Sequence, residues 1–207
     1  MDLQAFSAHN SSREPVLLAN LRRATWQRTR HGRLMSDPQT GRILSMVSHM
    51  LRPRIIIELG TFTGYGTLCL LEGLRSEGQL HTVERNDELF GLQDEFWSQH
   101  PRHDAITRHH DTALHVLENW PPELPIDLAY IDADKQGVNA QLDALLPLLS
   151  TDGWMLFDNT WWDGTLGQAK GPKADALNAL NARLESDDRL QTVVLPVGDG
   201  LTAVRKH

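Results

Sequence analysis

The chain has a single cysteine, Cys69, among its 207 residues, so it can close no internal disulfide. It has no apolar run of about 18 residues, the length a membrane-spanning helix needs. Its opening, MDLQAFSAHN, lacks the basic start and apolar stretch of a secretory signal. These absences lead us to expect a cytoplasmic protein with no membrane partner. No repeat, low-complexity tract or linker interrupts the sequence, and its length suits one domain, 1–207, with a real core. Apolar residues at 40% and charged residues at 23% are the balance of a soluble globular chain.

Basic charge is scarce overall but concentrated at one end. The net charge is −7, yet residues 1–54 hold nine arginines (13, 22, 23, 28, 30, 33, 42, 52 and 54) against Asp2, Glu14 and Asp37. That segment is therefore +6 and the remainder −13. Such asymmetry marks either a solvated helical face, a subunit contact to the acidic part, or a surface for an anionic partner such as RNA. No arginine–aromatic alternation supports a dedicated nucleic-acid module, so we expect one of the first two.

What is present is an alternation. Residues 14–30 and 39–51 read as helices, the second with Ile43, Met46, Val47 and Met50 at helical spacing and Pro38 suited to its first turn. From residue 54 onward, strands and helices take turns. Strands are expected at 54–59, 79–84, 105–109, 126–132, 154–158, 190–196 and 202–205. Helices are expected at 64–74, 87–99, 113–119, about 137–149 and about 172–186. The last two strands flank Gly198-Asp199-Gly200, a hairpin signal. This is an α/β pattern: a seven-stranded, mostly parallel sheet with helices on both faces and an antiparallel hairpin at one edge. Ligands of such sheets sit at the carboxyl ends of the strands.

The first strand ends in Glu58-Leu59-Gly60-Thr61-Phe62-Thr63-Gly64-Tyr65-Gly66. Its glycines permit a tight turn and close approach of a ligand to the backbone. The spacing is not the G-x-G-x-x-G of dinucleotide folds, and no lysine follows as in a phosphate-binding loop. A turn without phosphate chemistry suits S-adenosylmethionine (SAM), with its sulfonium and amino-acid tail. Glu84 closes the second strand, where a carboxylate can accept from both hydroxyls of a ribose. Glu58 can orient water or an ammonium group. Structural turn residues and a solvated strand end are the plainer alternatives for each position. Their combination in register with two strands favours a nucleoside cofactor.

A second group gathers acids. The fourth strand ends in Tyr130-Ile131-Asp132-Ala133-Asp134-Lys135 and the fifth in Phe157-Asp158-Asn159. If these strands are neighbours, Asp132, Asp158 and Asn159 converge, and three hard oxygen donors suit Mg²⁺ rather than zinc. The ten histidines include no H-E-x-x-H pair, and His31, His109 and His110 read as surface residues. Lys135, three residues after Asp132, can lean over the same point. Trp161 and Trp162 follow directly. One of them is expected to line a flat substrate pocket and the other to pack in the core or at a subunit contact.

These motifs resemble the cation-dependent O-methyltransferase family, which includes catechol and caffeoyl-CoA O-methyltransferases and many small bacterial enzymes. The stretches that carry the resemblance are Ile57-Glu58-Leu59-Gly60-Thr61-Phe62-Thr63-Gly64-Tyr65 and Ile126-Asp127-Leu128-Ala129-Tyr130-Ile131-Asp132-Ala133-Asp134-Lys135. Leu145-Leu146-Pro147-Leu148-Leu149, Asp158-Asn159-Thr160-Trp161-Trp162-Asp163-Gly164 and Gly198-Asp199-Gly200-Leu201 add to it. The similarity covers roughly residues 33–206.

The resemblance implies a class I methyltransferase Rossmann-like fold whose N-terminal helices, within 1–52, cover the active site. It implies SAM as cofactor and Mg²⁺, Mn²⁺ or Ca²⁺ as cation. Asp132, Asp158 and Asn159 become metal ligands and Lys135 the general base. Ser36, Glu58, Gly60, Thr61, Gly66, Glu84, Ala113, Asp132 and Asp134 become cofactor contacts. Trp161 and Asp163, with Lys135, become substrate contacts. The acceptor would be a small hydroxylated molecule, with a vicinal aromatic diol the leading class and a hydroxylated tRNA nucleoside the alternative. A homodimer is also implied. Three positions depart from the family pattern. Gly66 stands where a serine is usual, 110–113 lack the usual glycine, and Pro196 stands about where catechol enzymes place a glutamate.

Overall fold

The run Ile55-Ile56-Ile57-Glu58-Leu59 is the centre from which the fold grows. An uninterrupted β-branched run suits a strand covered on both faces. In the structure, a computed structural model describing residues 3–162 and 170–207, it forms strand β1 (Ile55–Leu59) with all five residues buried. The other strands are β2 (Gln79–Val83), β3 (Ile106–His109), β4 (Ile126–Ile131), β5 (Leu149–Phe157), β6 (Leu190–Leu195) and β7 (Leu201–Lys206). They form one sheet in the order β3-β2-β1-β4-β5-β7-β6. The first five run parallel, and β7 pairs antiparallel with both β5 and β6. The expected seven-stranded α/β sheet with its terminal hairpin is thus present.

Helices α1 (Leu3–Asn10), α2 (Val16–Arg28), α3 (Pro38–Leu51), α4 (Tyr65–Leu71), α5 (Phe90–Trp97), α6 (Ala113–Glu118), α7 (Val138–Leu145) and α8 (Pro172–Ser186) flank it. Alternation along the strands sorts the core into two layers. Ile55, Ile57 and Leu59 face one cluster with Val116, Leu142, Leu145, Leu177 and Leu180, from α6, α7 and α8. Ile56, Leu128, Tyr130 and Leu156 face the other, with Leu18, Leu21, Leu44, Leu68 and Phe96, from α2 to α5. Strand order reverses beside β1, between β1 and β4. That is the switch point at which α/β sheets open a crevice at the strands' carboxyl ends.

Two elements differ from the sequence reading. Strand β5 starts at Leu149, five residues earlier than expected. Ile126 pairs with Leu149 and Leu128 with Trp154, so residues 150–153 bulge out of the ladder, with Asp152 at φ 62°. Thr151-Asp152-Gly153 carries the chemistry of a turn and hides the strand that contains it. Helix α1 has no apolar face to signal it, since Ala5 to Asn10 are all exposed. Helix α3 starts as expected, on Pro38, with Asp37 as its cap. The Asp37 carboxylate accepts from the amides of Gln39 (2.8 Å) and Thr40 (3.2 Å), worth about 1 kcal/mol.

Three of the nine N-terminal arginines form ion pairs with acids of the same chain. Arg22 pairs with Glu14, Arg28 with Glu95 and Arg42 with Glu72. Part of the segment's charge is thus answered within the one chain, by Glu14 of the segment itself and by Glu72 and Glu95 of the acidic remainder.

Candidate active site

The loop after β1 is pinned before it turns. The amides of Gly60 (3.1 Å) and Thr61 (3.2 Å) both donate to the Val83 carbonyl on β2. Gly60 has φ 96°, and a Cβ there would stand 2.5 Å from the Asp132 carbonyl oxygen. Only glycine brings the end of β1 this close to the end of β4. The crevice above is lined by Leu34, Met35 and Ser36 on one side. Glu58, Gly60, Thr61, Phe62, Thr63, Tyr65, Gly66, Tyr130 and Asp132 line the rest.

Glu58 is the electrostatic centre of this crevice. It is 1% exposed and stands in register between Thr82 on β2 and Tyr130 on β4. Its Oε2 accepts from the hydroxyls of Thr67 and Thr82, each at 2.5 Å, and Thr61 Oγ1 lies 2.5 Å from Thr82 Oγ1. Burial pushes the carboxyl up to about 8. The two threonine hydrogen bonds oppose the shift, while the charges of Asp132 and Glu84 add to it. At Gly66 a Cβ would lie 2.6 Å from Glu58 Oε1 and 3.2 Å from the Tyr130 ring, so a side chain there would require the Glu58 carboxylate to shift.

The acids converge as adjacent strands require. The Asp132 amide donates to the Leu59 carbonyl (2.8 Å) and the Asp158 amide to the Ile131 carbonyl (3.1 Å), so each acid continues a parallel ladder just past its strand. Lys135 Nζ joins them, donating to Asp132 Oδ1 at 2.8 Å and to the Asp158 carbonyl at 3.1 Å. Asp158 is 5% exposed. Its Oδ1 accepts from the Asn159 amide (2.8 Å) and its Oδ2 from the Tyr130 hydroxyl (2.5 Å). Burial first, and then the charge of Asp132, hold its carboxyl above the usual carboxylate range.

One ammonium against two carboxylates leaves the cluster net negative. Each Asp158 oxygen keeps a lone pair beyond the hydrogen bond it accepts. Such a set of hard, mutually repelling oxygens fits a divalent cation of the Mg²⁺ kind. Among the described residues no cluster of three His, Cys, Asp or Glu side chains is placed to hold a metal. Asn159 has φ 58° and turns the chain sharply after β5. The terminal hairpin braces that turn: Thr160 N donates to the Gly200 carbonyl (3.0 Å) and Trp161 N to the Asp199 carbonyl (2.9 Å).

The sequence-derived site residues therefore divide. Ser36, Glu58, Gly60, Thr61, Gly66 and Asp132 line one crevice. Lys135, Asp158 and Asn159 meet at its β4–β5 side. Glu84, Ala113 and Asp134 lie outside the lining. Glu84 accepts from the amides of Phe62 and Asn86, each at 2.8 Å, and so braces the glycine loop. Asp134 is exposed and accepts from the amides of Gln136 and Gly137, turning the chain into α7. Ala113 begins α6 and packs against the core. Trp162 packs against the core, whereas Trp161 is 57% exposed. Asp163 lies outside the described residues. Tyr130 escaped the sequence reading, although strand alternation puts it on the same face as Asp132 and Asp158.

Residues 8–207 match the O-methyltransferase family. The chain belongs to that family. Among its relatives is the tapetum-specific methyltransferase 1 of Arabidopsis thaliana, 30% identical over 204 residues, spanning 94% of this chain and 88% of that protein. The caffeoyl-CoA O-methyltransferase of Stellaria longipes is 27% identical over 205 residues, spanning 94% of this chain and 85% of that protein. The crystal structure of the SAH-bound Podospora anserina methyltransferase PaMTH1 superposes with a TM-score of 0.87 at 25% identity. The match covers 98% of this chain and 93% of that one. The sheet order, the terminal hairpin and the crevice at the switch point are therefore those of a methyltransferase. No helix among the described residues of this methyltransferase is long and apolar enough to cross a membrane.

Proposed function

We propose that this methyltransferase moves the methyl group of SAM to one hydroxyl of a small aromatic vicinal diol, with a divalent cation (Mg²⁺, or Mn²⁺ or Ca²⁺) held by Asp132, Asp158 and Asn159. The observation that carries the reading is the meeting of Asp132, Asp158 and Lys135 at the rim of a crevice floored by Glu58 and the glycine loop. The likeness to a caffeoyl-CoA O-methyltransferase supports an aromatic hydroxyl as acceptor.

The roles follow from position. Glu58 meets the cationic amino-acid end of SAM, and the backbone of Gly60 and Thr61 lies beneath it. Ser36 closes the crevice from the N-terminal side. Glu84, at the end of β2, keeps lone pairs for the ribose hydroxyls. A cation held by Asp132, Asp158 and Asn159 would supply positive charge that lowers the proton affinity of the acceptor hydroxyl. Lys135, held by the Asp132 carboxylate and the Asp158 main-chain carbonyl, first gives its own ammonium proton to solvent and then, as the neutral amine, takes the hydroxyl proton. The resulting oxyanion attacks the methyl carbon, the carbon–sulfur bond breaks, and neutral thioether sulfur leaves with its electron pair. Trp161 offers an exposed flat face to the acceptor ring. Positioning and charge stabilisation carry the rate.

The test is Asp158→Ala, assayed with SAM, Mg²⁺ and a panel of catechols and dihydroxycinnamates. Turnover should fall by at least about 100-fold, while SAH affinity measured in chelator stays within about threefold of wild type. Full turnover of that variant in excess chelator would remove Asp158 and the cation from the reaction.

A further inference from the structure

Tyr130 joins the two halves of the site. Its side chain is buried to 1% exposure, and its ring forms part of the crevice wall beside Gly66. A phenol has one proton to give. That proton goes to Asp158 Oδ2 at 2.5 Å, so the 2.9 Å contact with Ser36 is one in which the serine hydroxyl donates to the Tyr130 oxygen. A directed chain of hydrogen bonds therefore runs from Ser36, which lines the crevice on the N-terminal side, through Tyr130, to the carboxylate at the acid cluster. Each link fixes the orientation of the next, and such chains strengthen cooperatively where water is excluded.

We propose that Tyr130 is a positioning residue that couples occupancy of the crevice to affinity for the cation, through Ser36 at one end and Asp158 at the other. The proposal rests on the cation reading above. A molecule in the crevice that orders Ser36 also orders the Tyr130 hydroxyl, and with it the Asp158 carboxylate that receives the cation. The coupling is reciprocal, so the cation tightens the crevice by the same factor. The direct route through Asp132, which borders both halves, contributes separately and survives loss of the relay.

The experiment is calorimetric titration of Mn²⁺ into the full chain, with and without saturating SAH, for wild type, Tyr130→Phe, Ser36→Ala and the double variant. In wild type SAH should tighten Mn²⁺ binding by about 5-fold or more. Both single variants should lower that ratio at least about threefold, and the double variant should lower it no further, because both substitutions cut one chain. Independent packing defects would give additive losses of affinity and leave the ratio intact. If Tyr130→Phe does not fold, Ser36→Ala still decides, since it leaves the ring in place. An unchanged ratio in the folded single variants overturns the relay alone. Failure of wild type to bind Mn²⁺ while it binds SAH overturns the cation reading and the relay with it.

Discussion

The two ends of the crevice are built on opposite principles. Around β1 and β2 the acids are held by neutral donors: Glu58 by the hydroxyls of Thr67 and Thr82, Glu84 by two backbone amides. The glycine loop is fixed by hydrogen bonds to Val83. Around β4 and β5 one lysine bridges the Asp132 carboxylate and the Asp158 main-chain carbonyl, the Asp158 carboxylate has no cationic partner in hydrogen-bond contact, and a left-handed asparagine follows at once. The first region is a preformed mould of backbone and neutral donors around one buried carboxyl, suited to an organic molecule with a cationic end. The second is a set of donors short of positive charge, suited to an ion. A methyl transfer that needs both a precise donor and an activated hydroxyl uses this division directly.

Substitutions can sharpen that contrast. The largest effect belongs to Lys135, the only side chain proposed to handle a proton. Lys135→Ala should cut kcat by about 10²- to 10⁴-fold. Mn²⁺ should still bind, because removing an ammonium leaves the oxygen donors more negative. Loss of Mn²⁺ binding with kcat preserved would reverse the assigned roles.

The smaller effect belongs to the preformed half. The Glu58 carboxyl is raised from its ordinary value near 4.5 to about 8. A raised folded-state value contributes stability that is fully present below about 4.5 and is lost as pH rises through about 8. Melting temperatures recorded from pH 5 to pH 9 without ligand should therefore fall for wild type and stay flatter for Glu58→Gln. Parallel curves would show that Glu58 does not titrate in this window.

Much of this was readable from residues, and the exceptions have physical causes. The isoleucine run of β1, the hairpin at Gly198-Asp199-Gly200 and helix α8 at residues 172–186 appear where apolar pattern and turn chemistry put them. The start of β5 was hidden because Thr151-Asp152-Gly153 belongs to a bulge within the strand, and local chemistry cannot tell a bulge from a loop. Asp132, Asp158 and Lys135 were legible once β4 and β5 were taken as neighbours. Tyr130 was not, because a tyrosine in a buried strand reads as core until its hydroxyl partners, 94 and 28 residues away, are known. Nor could sequence separate Trp161 from Trp162. Adjacent residues of identical type differ only in what the fold packs against them.

The central claim is that the acid cluster at the ends of β4 and β5 works through a cation while the crevice beside it holds the methyl donor. The most direct test is methyl transfer from labelled SAM to a dihydroxycinnamate by the wild-type chain, in excess chelator and then after excess Mg²⁺ is restored. The account predicts turnover lower by at least about 100-fold in chelator and recovered with Mg²⁺. Undiminished turnover in chelator would contradict it.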